Sequence, residues 1–106
     1  MKTRQLEKEI QKACLDYLRV RKILCWKNRA VGIVKPNGSY IPIPANERGV
    51  SDIIGILPTG RLLAIEVKRP GTKPTAEQEA FLVSVNLYGG LGFVARSIDD
   101  IQAQGI

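Results

Sequence analysis

The sequence predicts a mixed α/β domain in which a central mixed sheet is flanked by helices. Three observations lead there. Residues 3–22 carry apolar side chains at helical spacing. Short apolar runs separated by turn residues fill the middle of the chain. A second helical pattern over 75–88 is followed by one more apolar run at Leu91–Ala95. The expected order is α-β-β-β-α-β, closed by a short final helix. The 106 residues make one domain spanning 1–106.

The elements follow in turn. Leu6, Ile10, Ala13, Cys14, Tyr17 and Leu18 line one face of the first helix, with Thr3 as the expected N-cap and Arg19, Arg21 and Lys22 at the C-terminal end. Ile23 to Asn28 reads as a strand. Residues 31–43 read as a hairpin around Pro36-Asn37-Gly38, and 45–51 as a loop. A second hairpin pairs 52–57 with 61–68. The polar stretch 69–74 breaks the pattern. Thr75 caps the next helix, with Ala80, Phe81, Val83, Val85 and Leu87 as its apolar surface and Gly89-Gly90 as its stop. Ser97 caps the last helix, expected to reach about Gln104.

Composition narrows the function classes. Sixteen basic against ten acidic residues give a net charge of +6, which favours an anionic partner, nucleic acid first. There is no histidine, so a histidine general base and a Ser-His-Asp triad are excluded. Cys14 and Cys25 lack C-x-x-C spacing and sit in helix and strand patterns, which predicts reduced core thiols. No signal-peptide pattern or membrane-length apolar run is present, and a cytoplasmic location without a membrane partner is expected. A chain this short buries a limited share of its surface, so self-association would help it.

The most informative stretch is GVSDIIGILPTGRLLAIEVK, residues 49–68. Acidic residues inside apolar strands are costly unless paired or holding a cation. Alternation puts Ala64, Glu66 and Lys68 on one face and Leu63, Ile65 and Val67 on the other. With Pro58-Thr59-Gly60 as a three-residue loop, positions whose numbers sum to 118 oppose each other, so Asp52 faces Glu66. Opposed Cβ atoms lie about 4.5–5.5 Å apart, a gap that suits two carboxylates on one divalent cation. Lys68 follows on the same face.

These residues, with the early helix LEKEIQKACLDYL, the strand CWKNR, the helix PTAEQEAFL and the ending GGLGFVARS, resemble the PD-(D/E)xK nuclease superfamily. More closely, they resemble its virus-type replication-repair nuclease (VRR-NUC) domain in the small stand-alone form of bacteria and their phages. The resemblance covers nearly the whole chain. Serine rather than proline precedes the aspartate, a departure the virus-type group tolerates. The resemblance implies a restriction-endonuclease-like core and a Mg²⁺- or Mn²⁺-dependent endodeoxyribonuclease. Its metal would be held by Asp52, Glu66 and the backbone carbonyl of Val67. It also implies an acid from the first helix that joins the catalytic and metal-holding set. Helical geometry places Glu7 closer to the apolar face than Glu9, and Glu7 matches the family's E-x-E-I pattern. Gln78 matches a glutamine that contacts the water or the scissile phosphate.

Lys27, Arg29 and Lys35 near the central strands, and Arg69 and Lys73 after Lys68, are candidate phosphate contacts, with Ser51 counted beside Asp52. Trp26 and Tyr40 are either base-stacking or core aromatics, core being the commoner fate. The stand-alone form implies a Holliday-junction resolvase that acts as a homodimer on branched DNA. A flap, nicking or restriction-like nuclease, and a non-catalytic nucleic-acid-binding module, are the alternatives.

Overall fold

In the computed structural model, residues 2–28, 32–44 and 47–106 are described. They form α1 (Lys2–Val20), β1 (Leu24–Lys27), β2 (Ile33–Val34), β3 (Tyr40–Ile41), β4 (Ile53–Ile56), β5 (Leu62–Val67), α2 (Ala76–Leu87), β6 (Leu91–Ala95) and α3 (Ile98–Gln102). The main sheet has strand order β1-β4-β5-β6. The first three strands are antiparallel, and β6 runs parallel to β5 after the α2 crossover. The described residues are therefore α/β with a mixed four-stranded sheet and three helices.

α1 differs from expectation at both ends. It has already begun at Lys2, so Thr3 lies within it rather than capping it. It stops at Val20, two residues early, because Lys22 turns left-handed at φ 60°. The N–H of Lys22 then donates to the Arg19 carbonyl and that of Ile23 to the Leu18 carbonyl, each at 2.9 Å. This is a Schellman ending, and it folds buried Ile23 back onto buried Leu18. The buried stripe is Cys14, Leu15 and Leu18, with Ile10 and Tyr17 packed beside it. Leu6 and Ala13 are exposed.

The two hairpins share one loop design. In Pro36-Asn37-Gly38 and in Pro58-Thr59-Gly60 the glycine has positive φ and donates its N–H back to the residue before the proline. Their ladders differ in fate. β4–β5 lies mid-sheet with pairs Ile53↔Ile65, Ile54↔Ala64, Gly55↔Leu63 and Ile56↔Leu62, all summing to 118 as expected. β2–β3 forms a separate two-stranded sheet of two pairs.

The sheet divides the core. Leu63, Ile65, Val67, Ile53 and Cys25 pack with α1 and α3 on one face. Ala64 packs with Leu82 and Val85 of α2 on the other. Leu82 thus anchors α2, while Val83 and Leu87, expected to be buried, are exposed. Thr75 caps α2 in a full capping box with Gln78. At α3, Ser97 occupies the N-cap position without a side-chain bond. Asp100 instead accepts the Arg96 N–H at 2.7 Å. Both cysteines are free and buried. Among the described residues no helix is long and apolar enough to cross a membrane.

Candidate metal and nucleic-acid site

The β4–β5 ladder ends at Ile53↔Ile65; Asp52 and Glu66 are the next residues beyond it, and their side chains interact. Asp52 is fixed from both sides. Its carbonyl accepts the Asn28 N–H at 2.7 Å, and its Oδ2 accepts the Val67 N–H at 2.9 Å. The backbone thus holds one carboxylate in place while leaving it beside its neighbour.

Glu66 is 2 % exposed, and its Oε2 has no hydrogen-bond partner. Burial first, then the charge of Asp52, pushes its carboxyl up from 4.5 to about 8. A hydrogen bond with the Asp52 side chain and the charge of Glu7 add to the shift, and Lys68 opposes it. At neutral pH the acid pair therefore retains a proton.

This shift has a consequence for stability. The folded chain binds the Glu66 proton more tightly than the unfolded chain does. Its contribution is fully present below about pH 4.5 and is lost as pH rises towards about 8, with a slope of at most about 1.4 kcal/mol per pH unit. In EDTA the melting temperature is expected to fall between pH 5 and pH 8, and Glu66→Gln is expected to flatten that fall. Parallel curves for the two proteins would show that another group is responsible.

A buried, unpartnered carboxylate oxygen beside a second carboxylate is a hard-oxygen donor set suited to Mg²⁺ or Mn²⁺. Among the described residues no group of three or more His, Cys, Asp or Glu side chains is arranged around a metal position. The donor set is thus the pair Asp52 and Glu66; Glu7, expected as a further ligand, does not group with them. Mg²⁺ commonly binds through one or two carboxylates, completing its shell with water and phosphate oxygens.

The other candidate residues fall into distinct places. Glu7, Lys27, Asp52 and Val67 line one cleft of about 240 Å³ together with Lys8 and Gln11. The Glu7 Oε2 also accepts the Arg69 N–H at 3.4 Å, tying α1 to the chain just after Lys68. Glu9 lies elsewhere, in a cleft with Arg96 and Asp99. Half-buried Lys68 continues β5 and donates its N–H to the Ala95 carbonyl at 3.1 Å.

Gln78 is engaged in the capping box. Its Oε1 accepts the Thr75 N–H at 2.8 Å, which commits the carbonyl oxygen and leaves the amide nitrogen as the group able to donate outward. Gly49 presses on the same helix start. A Cβ there would meet the Glu77 backbone oxygen and would lie 2.9 Å from the Gln78 nitrogen.

Ser51, expected to touch nucleic acid, is instead completely buried, and its hydroxyl has no partner. Its side chain has no access to a strand on the surface. Lys35 and Lys73 are exposed, on the β2–β3 hairpin and before α2 respectively, and neither lines the cleft beside Asp52. Arg29 lies outside the described residues. Trp26 and Tyr40 belong to no core and are exposed, so the commoner fate of strand aromatics does not apply here.

Lys8 and Gln11 were not singled out in the sequence. The available signal was their spacing from Glu7: positions 7 and 11 lie one turn apart on one helical face, with position 8 beside them. No protein-family model matches this chain, and neither the curated proteins nor the solved structures include a match.

Proposed function

We infer that the protein is a metal-dependent, structure-selective DNA endonuclease with a restriction-endonuclease-like PD-(D/E)xK core of the VRR-NUC kind. The observation that carries this reading is the acid pair: Asp52 pinned by the Val67 N–H, and Glu66 buried with an unpartnered oxygen. A non-catalytic binder gains nothing from burying an acid at that cost, least of all where it would face phosphates.

Asp52 and Glu66 would hold the cation, with the Val67 carbonyl as the further ligand the resemblance implies. A bound Mg²⁺ or Mn²⁺ supplies an acidified water and neutralises phosphate charge. Lys68, on the Glu66 face, orients the attacking water and offsets negative charge on the phosphate. Glu7 steadies the chain after Lys68 through the Arg69 N–H. The Gln78 amide nitrogen donates to the water or the phosphate. The water oxygen bonds to phosphorus and gives up a proton to solvent, the bond to the leaving sugar oxygen breaks, and that oxygen takes a proton from solvent.

A Holliday junction resolved by paired cuts needs two symmetry-related sites, hence a homodimer. The uncovered part of the sheet favours one. α2 packs over β5 and β6. Leu24, Ile56 and Leu62 stand in register across β1, β4 and β5, and with Trp26 they remain exposed on the α2-side face. Together with Ile33, Val34, Tyr40 and Ile41 of the hairpin, these side chains are 41–69 % exposed. Leu24, Trp26, Ile56 and Leu62 form the sheet's own share of this exposed apolar surface, the kind of patch that marks an interaction site. Trp26→Glu is expected to convert a dimer to monomer by light scattering while leaving the circular dichroism spectrum unchanged. An unaltered dimer mass would remove this face from the interface.

The function is tested by incubating the protein with labelled four-way junction, flap and linear duplex in Mg²⁺, Mn²⁺ or EDTA. Symmetric, metal-dependent junction cuts are expected. Cleavage of the flap alone selects the flap nuclease. Cutting of linear duplex at a fixed sequence selects a restriction-like enzyme. Binding with no cleavage in either metal selects the binding module.

A further inference from the structure

We propose that the cleft between the start of α1 and the end of β1 is a phosphate subsite, which holds a DNA phosphate next to the scissile one through Lys8, Gln11 and Lys27. This assignment rests on the nucleic-acid reading above and extends it to residues on the first helix.

The cleft and the acid pair share Asp52. Asp52 is thus both the neighbour of Glu66 and a wall of the cleft. A strand whose scissile phosphate sits at the acid pair therefore runs its neighbouring phosphate into this space. The lining is suited to that group. Lys8 and Lys27 supply two cations, and Gln11 supplies an amide donor. Glu7 and Asp52 supply two acids. Asp52 accepts the Val67 N–H and Glu7 the Arg69 N–H, so a backbone donor partly offsets each acid's charge while Lys8 and Lys27 remain to meet the phosphate. Lys8 and Lys27 approach from different elements, α1 and β1, and are exposed enough to reach a phosphate from either side. Lys12, one turn beyond Lys8, is a useful contrast. It is paired with Asp16 at 2.8 Å on the outer surface and does not line the cleft.

Phosphate contacts can be counted by the salt dependence of binding, because each one releases counterions. The test measures affinity for a fluorescent four-way junction in EDTA across a salt series, so that cleavage plays no part. The Lys8→Ala/Lys27→Ala double variant is expected to bind about 10-fold or more weakly at physiological salt. The slope of log affinity against log salt should be shallower by about one, since the subsite holds a single phosphate. Gln11→Ala should weaken binding without changing the slope, since an amide releases no counterion. Lys12→Ala should leave both unchanged, and unaltered melting curves would establish that each variant is folded. An unchanged slope in the double variant overturns the subsite, as does an equal effect from Lys12→Ala or a wild-type protein that does not bind DNA. Binding that follows the predicted lysine dependence, without cleavage in Mg²⁺ or Mn²⁺, would support the subsite while sinking the nuclease reading.

Discussion

Glu66→Ala and Lys68→Ala are each expected to reduce DNA cleavage by about 10³-fold or more while leaving much of the DNA binding. Removing a single group that stabilises charge in a transition state costs about 10²–10³-fold, and Glu66 is also asked to hold the cation. Affinity survives because phosphate contacts from other lysines supply most of it. Glu9→Ala is the control, since Glu9 lies in a different cleft from Asp52, and it should cut at the wild-type rate. Stability should move the other way for one replacement. The folded chain holds Glu66 with a buried, unpartnered oxygen and a carboxyl pushed up to about 8. Glu66→Gln keeps the shape and removes the charge, so at pH 8 in EDTA it should melt no lower than wild type. A variant that loses activity while holding or gaining stability marks a residue kept for chemistry. Full cleavage by Glu66→Ala or Lys68→Ala in metal-containing buffer would sink the assignment.

Gly49→Ala carries the second large effect. Gly49 has φ 81°, and its added Cβ would run into the backbone of Glu77 and Gln78 at the start of α2. Backbone cannot swing aside as the tip of a side chain can. Either the capping box opens or the loop that delivers Asp52 shifts. The expected cost is about 3 kcal/mol, enough to lower the melting temperature by more than about 10 °C in a domain of this size. Cleavage should fall even where the variant remains folded, because Asp52 lies three residues further on. Gly60→Ala separates strain from collision. Gly60 has φ 89° with open space around the missing Cβ, so it should cost only about 1 kcal/mol. Equal losses in the two variants would mean that the left-handed backbone alone accounts for the effect.

The parts of this fold that were legible in the sequence are those governed by local chemistry. The Pro58-Thr59-Gly60 loop fixed the register of β4 and β5, and the register in turn set Asp52 against Glu66. Thr75 and Gln78 announced the start of α2, and the two glycines after Tyr88 its end. What escaped was set by tertiary contact. The early end of α1 depends on Lys22 adopting a left-handed conformation that residue preference disfavours, and burial of Ile23 against Leu18 compensates. The burial of Leu82 in place of Val83 depends on how α2 lies over Ala64. The separation of β2–β3 from the main sheet has no local marker, since its loop is built like that of β4–β5. At the site, the acids and Lys68 were readable because a charge in an apolar strand is conspicuous. Lys8 and Gln11 were not, because polar residues on an exposed helix face are the ordinary case. Ser51 is buried because it shares a strand face with Ile53 and Gly55, both buried, and a serine beside an acid carries no local mark of that face.

Mn²⁺ binding followed by electron paramagnetic resonance tests, without any choice of DNA substrate, whether Asp52 and Glu66 together hold a divalent cation. At pH 8 the wild-type protein is expected to take up Mn²⁺ saturably in the micromolar to millimolar range. Mg²⁺ should displace it, and both Asp52→Asn and Glu66→Gln should lose that uptake while remaining folded. Absence of binding at millimolar Mn²⁺, or binding that persists unchanged in both variants, would contradict the account.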